Sequence, residues 1–395
     1  MRARHRLMVI FGTRPEAIKV APVIAELERS PLFDPVVVVT GQHREMLAQV
    51  LDLFSIVPDH DLGLCEPRQT LTSVTTRALA GLTPLLEAER PDAVLVQGDT
   101  TTTFAGALAA FYQQVPVVHL EAGLRTGNPY SPFPEEANRA LTTRLASLHL
   151  APTLGNKANL VAENVDPETI VVTGNTVVDA LLQAVRLPGG YDEPALADLD
   201  ADPRRVVLVT AHRRESWGEG HAAVARAIAE IARTEPDVRV VFPIHRNPVV
   251  RETILPALAG LTNVTTVEPV GYRGLVRLMQ RADLILTDSG GIQEEGPSLG
   301  KPVLVMRETT ERPEAVAAGT VRLVGTDEVQ IVGAVRTLLH DEVEYRRMAN
   351  AVNPYGDGRA AERTIAALAH MFGLGPKAEE FASELPPAAD LAAAA

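Results

Sequence analysis

The stretch Leu284-Ile285-Leu286-Thr287-Asp288-Ser289-Gly290-Gly291-Ile292-Gln293-Glu294-Glu295 decides how the chain folds. A short apolar run stops at Asp288, and Ser-Gly-Gly passes directly into a helix start. A strand, a glycine turn and a helix in immediate succession form the repeating unit of parallel α/β sheets. The same residues also suggest chemistry. Backbone amides of Ser289, Gly290 and Gly291 can point at a phosphate, and glycine permits close approach. Glu295 follows Gly291 by four residues, so it shares that helical face one turn on. A carboxylate placed there can accept from the hydroxyls of a ribose. Arg312, opening another predicted helix in Thr309-Thr310-Glu311-Arg312-Pro313-Glu314, adds positive charge to the same place.

This pattern recurs along the chain. Nearly continuous apolar runs at 7–11, 35–40, 93–97, 115–119, 148–151 and 170–173 predict one set of strands. A second set falls at 206–210, 238–243, 264–267, 284–287, 303–306 and 321–324. Runs without alternation suit strands buried on both faces of a parallel sheet. Helical patterns such as 16–29, 102–113 and 220–234 lie between them. The expected fold class is therefore α/β, with two Rossmann-like doubly wound domains and a cleft between them. Pro188-Gly189-Gly190 and the acidic stretch to 205 read as a linker. The expected domains are 1–187 and 188–373, followed by a disordered tail over 374–395.

In open α/β sheets ligands sit beyond the carboxyl ends of the strands. After the first run comes Gly12-Thr13-Arg14-Pro15-Glu16-Ala17-Ile18-Lys19, where Thr13 and Glu16 form a capping box. Arg14 and Lys19 oppose the dipole at this helix start, a conflict that a bound anion would remove. Asp99 follows the third run and can cap the next helix. Glu121, in His119-Leu120-Glu121-Ala122-Gly123, lies at a crowded strand tip and is a candidate for a raised pKa. Glu135 and Glu136 open a further helix, where negative charge is favourable. Each carboxylate has an ordinary structural explanation, but three at neighbouring crests of one sheet are harder to dismiss. In the second half His212 stands directly past a strand with Arg213 and Arg214 beside it, which suits an anion.

The 395 residues allow roughly two or three domains at about 150 residues each. A formal charge of −13 argues against nucleic acid, whose readers carry basic patches. The single cysteine, Cys65, cannot form an internal disulfide and fits a reducing compartment. The apolar run after the N-terminal arginines is cut at Gly12, shorter than a secretory core, and no run approaches the ~20 residues of a membrane span. No G-x-x-x-x-G-K-[ST] loop and no G-x-G-x-x-G after the first strand occur. No His/Cys/carboxylate grouping has metal-ligand spacing. The expectation is a cytoplasmic protein without membrane, nucleic acid, metal or cofactor.

The segments FGTRPEAIKVAP (11–22), TGQHREM (40–46), VQGDTTT (96–102), HLEAGLRT (119–126), PEEANR (134–139), VTGNTVVDAL (172–181), AHRRE (211–215), DSGGIQEE (288–295), PSLGKPVLVMR (297–307) and TTERPEA (309–315) together resemble the non-hydrolysing UDP-N-acetylglucosamine 2-epimerases. The resemblance runs from about 7 to 325, more thinly to about 373. It implies a glycosyltransferase-B type fold and epimerisation at C2 through loss and re-addition of UDP by way of 2-acetamidoglucal, feeding cell-surface polysaccharide synthesis. By resemblance Asp99, Glu121, Glu135 and His212 are catalytic. Arg14, Lys19, Ser289, Gly290, Gly291, Glu295 and Arg312 match substrate-binding positions, together with Asp99, Glu121 and His212. Gln42, His43, Arg68, Glu136, Arg213 and His245 match a second, activating UDP-N-acetylglucosamine site. A homodimer is implied as well. Ser216-Trp217 depart from the usual Asn after the His-Arg-Arg-Glu segment, and Val270 and Leu275 stand where many members carry polar or aromatic residues. These departures leave the reaction type intact and the exact sugar open. The alternatives are an epimerase of a modified sugar, such as a UDP-2,3-diacetamido-hexuronic acid, and a UDP-sugar glycosyltransferase on the same fold. A non-catalytic sugar-nucleotide sensor and a hydrolysing epimerase are further alternatives.

Overall fold

The computed structural model describes residues 4–41, 44–66 and 69–382. Its strands are β1 (His5–Phe11), β2 (Phe33–Val39), β3 (His60–Asp61), β4 (Ala93–Gln97), β5 (Val117–Leu120), β6 (Leu148–Ala151), β7 (Ile170–Val172), β8 (Arg205–Thr210), β9 (Val238–Pro243), β10 (Val264–Val267), β11 (Leu284–Thr287), β12 (Val303–Val305) and β13 (Val321–Leu323). They form a seven-stranded sheet, ordered β3-β2-β1-β4-β5-β6-β7, and a six-stranded sheet, ordered β10-β9-β8-β11-β12-β13. Pairing is parallel throughout, with Val9 opposite both Val37 and Leu95, and Leu286 opposite both Val209 and Leu304.

The apolar runs become strands because both faces are covered. Ala93, Val94, Leu95 and Val96 are all fully buried. Helix Thr101–Tyr112 lies so close that a Cβ on Gly106 would sit 3.1 Å from Val96. In the first sheet the winding direction reverses between β1 and β4; in the second it reverses between β8 and β11. Such reversal points open a crevice at the carboxyl ends of the two strands.

Two compact units result, Met1–Ala180 with Tyr355–Ala395, and Leu181–Pro354. The expected boundary at 187 and a second domain reaching 373 are thus displaced, because the chain returns to the first unit at 355. There Asn175 N–H donates to the Tyr355 carbonyl, and Phe381 N–H donates to Val172 at the edge strand. Helix Ala360–Met371 packs on helix Arg14–Arg29. Ala378 and Phe381 are buried, so 374–382 is not the frayed tail that its composition suggested; 383–395 lie outside the described residues. The expected linker is likewise structured: Leu196 and Leu199 are fully buried, while Arg239 holds Asp198 and Asp202 and Arg281 donates to the carbonyl of Leu199. Among the described residues no helix is long and apolar enough to cross a membrane.

Asp179 fastens the returning helix, its two oxygens accepting from Ala360 and Ala361 N–H. Burial nevertheless pushes its carboxyl up to about 6 from 3.8. A raised folded-state pKa favours folding at low pH and loses that contribution as pH rises through about 6. The melting temperature of Asp179→Asn minus wild type is therefore expected to climb as pH rises across this window. A pH-independent difference would refute the assignment.

Candidate active site

In the first unit the loops after β1 and β4 are laced together by a buried glutamate. Glu16 Oε2 accepts from the N–H groups of Gly12 and Thr13, at 3.1 and 2.8 Å. Its Oε1 accepts from the hydroxyls of Thr100 and Thr103. Burial pushes this carboxyl upward against those hydrogen bonds. The capping role read from the sequence is present, and the same side chain spans the reversal point. Gly12 is dictated by space, since a Cβ would lie 2.1 Å from Thr40 Oγ1.

Glu121 follows β5 with φ of 64°, a conformation that costs a non-glycine residue on the order of 1–3 kcal/mol. Lys19 Nζ lies 2.5 and 2.6 Å from its two oxygens. Gln97 and Asn175 also donate to it, at 2.6 and 2.8 Å. The crowded strand tip is buried as expected, and the Glu121 oxygens accept from these side chains. Lys19, read as an anion binder, is engaged with Glu121. Arg14 is half-buried at the first position of its helix.

Asp99 sits beyond β4, where Arg139 Nη2 donates to its Oδ2 at 2.6 Å and Asn138 donates to its carbonyl. His119 supports this turn from below, its Nε2 2.7 Å from the Gly98 carbonyl. Burial drives the His119 pKa down to about 3, so the ring is neutral and donates to that carbonyl. Glu135 is half-buried at the start of helix Glu135–Leu145. Burial first, then the charge of Asp99, raises its pKa against the pull of Arg139. Glu136 is occupied differently: Oε1 accepts from Thr126 and Gly127 N–H, and Oε2 accepts from Arg139.

In the second unit the hydroxyls of Thr210 and Thr287, at the ends of β8 and β11, lie 2.6 Å apart. Asp288 is buried beyond β11, and its Oδ2 accepts from the N–H groups of His212 and Arg213. His212 Nδ1 stands 2.9 Å from Asp288 Oδ1, and its ring centroid lies 6.0 Å from that of His245. Burial, then the nearby His212, lowers the His245 pKa. The Ser289 amide donates to the Thr287 hydroxyl at 2.9 Å. A Cβ on Gly290 would lie 2.8 Å from Arg312 Nη1, so the glycine turn and Arg312 do come together. Arg312 also donates to Glu294. A Cβ on Gly291 would sit 3.4 Å from Glu295 Oε2, confirming the shared face, and Tyr272 O–H donates to Glu295 Oε1 at 2.9 Å. Arg213 approaches Glu311 at 3.7 Å. Burial alone would push the Glu311 carboxyl up, but Arg307 prevails and holds it down at about 2.

Gln42, His43 and Arg68 lie outside the described residues. Sequence reasoning did not single out Gln97, Asn138, Arg139, Asn175, Tyr272 or Asp288. Gln97 and Asp288 carried a usable signal, being polar residues at or just past a strand end. Among the described residues no group of three or more His, Cys, Asp and Glu is placed to hold a metal ion.

Fold and side chains define a class: a two-unit parallel α/β protein with a cluster of carboxylates beyond the strand ends of one unit and His, Arg and a glycine turn beyond those of the other. Comparison with known proteins narrows the class. The family model of UDP-N-acetylglucosamine 2-epimerase matches residues 25–369, and the chain belongs to that family, an isomerase family. A UDP-N-acetylglucosamine 2-epimerase of Salmonella typhimurium is 56% identical over 370 residues, covering 92% of this chain and 98% of its own. The crystal structure of the Neisseria meningitidis UDP-GlcNAc 2-epimerase bound to UDP-GlcNAc is 48% identical with a TM-score of 0.84, covering 92% of this chain and all of its own. The Methanocaldococcus jannaschii enzyme in complex with UDP-GlcNAc and UDP is 34% identical with a TM-score of 0.77, covering 92% of this chain and 99% of its own.

Proposed function

We propose that the protein interconverts UDP-N-acetylglucosamine and UDP-N-acetylmannosamine without net hydrolysis, through 2-acetamidoglucal. A base removes the C2 proton while the C1–O bond breaks, its electron pair leaving with UDP. Re-addition of UDP at C1 with proton delivery to the other face of C2 completes the inversion. The observation carrying this reading is the contrast among the three carboxyl groups. Asp99 is paired with Arg139 and Glu121 with Lys19, whereas burial favours the protonated form of Glu135. Carboxyl groups with contrasting surroundings can supply a base and an acid at one pH. Arg14, Gly290, Gly291, Arg312 and His212 are assigned to the diphosphate, and Glu295 to the ribose.

Proton NMR of the protein with UDP-N-acetylglucosamine in deuterium oxide, without added cofactor, tests this directly. UDP-N-acetylmannosamine carrying deuterium at C2 is expected. Free N-acetylmannosamine with UDP would indicate hydrolysis, and an unchanged spectrum would favour a modified sugar or a transferase. If Glu135 is the acid, turnover falls as pH rises through its raised pKa, and Glu135→Gln removes that limb of the pH–rate profile. An unaltered limb in the variant would exclude Glu135 from that role.

The same reading assigns the protein to the cytoplasm, as a homodimer serving cell-surface polysaccharide synthesis. Activation by a second UDP-N-acetylglucosamine is proposed through Gln42, His43, Arg68, Glu136, Arg213 and His245. Hyperbolic initial velocities at all substrate concentrations would rule out the activation.

A further inference from the structure

We infer that Asp288 is the positioning residue of His212, fixing the ring with its Nδ1–H toward the carboxylate and Nε2 directed away from it. The carboxylate is itself immobilised, because Oδ2 accepts from the backbone N–H of His212 at 2.6 Å and of Arg213 at 2.8 Å. This leaves Oδ1 2.9 Å from His212 Nδ1, at ion-pair distance, and with no hydrogen bond from any other described group. In the inferred arrangement a small rotation of the ring completes the Nδ1–H···Oδ1 bond. Asp288 is 2% exposed, so water does not compete for that oxygen. A carboxylate accepts but does not donate, and the ring must therefore carry hydrogen on Nδ1. Two features of one loop, its backbone and its ring, are tied to the same side chain.

The groups around the pair fit this arrangement. His221, in helix Glu219–Thr234, is buried near Asp288 and His212 with neither ring nitrogen hydrogen-bonded among the described residues. Burial lowers its pKa, so it stays neutral and leaves the charge of Asp288 to His212. On the other side His245 faces His212, and its lowered pKa keeps it neutral too. For Asp288 itself, burial pushes upward, but His212 and the two N–H donors outweigh it and hold the carboxyl below its usual range. His212 is then the one imidazole in the group with an anionic partner. With Nδ1–H committed to Asp288, Nε2 is the nitrogen left to take up and return a proton beside the diphosphate, the place assigned to His212 above.

Asp288→Asn distinguishes positioning from simple support of the loop. The amide oxygen can keep both backbone N–H bonds, but its NH₂ must then face Nδ1, which forces the Nε2–H tautomer. An equivalent carboxylate-to-amide exchange in a hydrolytic triad lowers kcat about 10⁴-fold through the wrong tautomer. Here, with a more exposed histidine, a loss of about 10²–10³-fold is expected in kcat, with UDP affinity largely retained. Nitrogen-15 NMR of the His212 ring should report the tautomer change. In a His212→Asn background, Asp288→Asn should add little. The inference rests on the assignment of His212 to the reaction, and the two fail separately. Full activity of His212→Asn would remove the assignment. An impaired His212→Asn beside an Asp288→Asn that keeps its tautomer and kcat would overturn the positioning role alone.

Discussion

Asp99→Asn is expected to bind UDP as well as the wild-type protein or better, and to lose about 10²–10⁴-fold in turnover, the usual contribution of a positioned acid or base. The substitution removes one negative charge and changes the shape little. Arg139 loses Asp99 Oδ2 at 2.6 Å but keeps Glu136 at 3.1 Å, so it is not left as an uncompensated buried charge. Asn138 still donates to the main-chain carbonyl at this position, and His119 still fixes the preceding Gly98. The architecture should therefore survive while the carboxylate is lost. Titration calorimetry with UDP and proton NMR of turnover separate the two effects. Wild-type-like turnover would remove Asp99 from the mechanism; loss of UDP binding would make it a binding residue instead. Glu135 provides an internal check, since the charge of Asp99 is one cause of its raised pKa. In Asp99→Asn any residual pH–rate limb due to Glu135 should shift to lower pH.

Much of this was legible in the sequence because burial on two faces leaves a plain signature. The runs that became β4, β6, β9, β10 and β11 were bounded to the residue. β3 was missed for the complementary reason: His60 and Asp61 form a two-residue, partly exposed edge with no apolar run to announce it. Strand order lay out of reach, since local periodicity does not tell which strands are neighbours. That order puts the helix start bearing Glu16 beside the helix start bearing Thr100 and Thr103, and turns a helix cap into a brace. Side-chain pairing was equally hidden. Lys19 was read as a charge seeking an anion and Glu121 as a carboxyl at a crowded tip, with no sign in the sequence that the two meet. The return of 355–382 to the first unit depends on Asp179 and Tyr355, which lie far apart in sequence from their partners and carry no local pattern.

That ion pair sets the second large expectation. Lys19→Met keeps the aliphatic packing of the lysine stem but removes the ammonium that lies 2.5 and 2.6 Å from the two oxygens of the buried Glu121 carboxylate. Lys19 and Glu121 side chains are 16% and 6% exposed, so solvent screens the pair weakly. Removing one partner of a buried pair costs about 3–5 kcal/mol, chiefly the price of stranding the other charge. Gln97 and Asn175 continue to donate to Glu121, which places the expected loss near the lower end, about 3 kcal/mol. Urea unfolding measures it, and a change within about 0.5 kcal/mol, as for an ordinary surface substitution, would show that Lys19 does not hold this charge. Adding Glu121→Gln removes the stranded carboxylate, so the double variant should be more stable than Lys19→Met alone. Additive losses would mean that the pair is uncoupled. Recovery of stability without recovery of turnover would mark Glu121 as a charge kept for chemistry, with its cost offset by Lys19 rather than avoided.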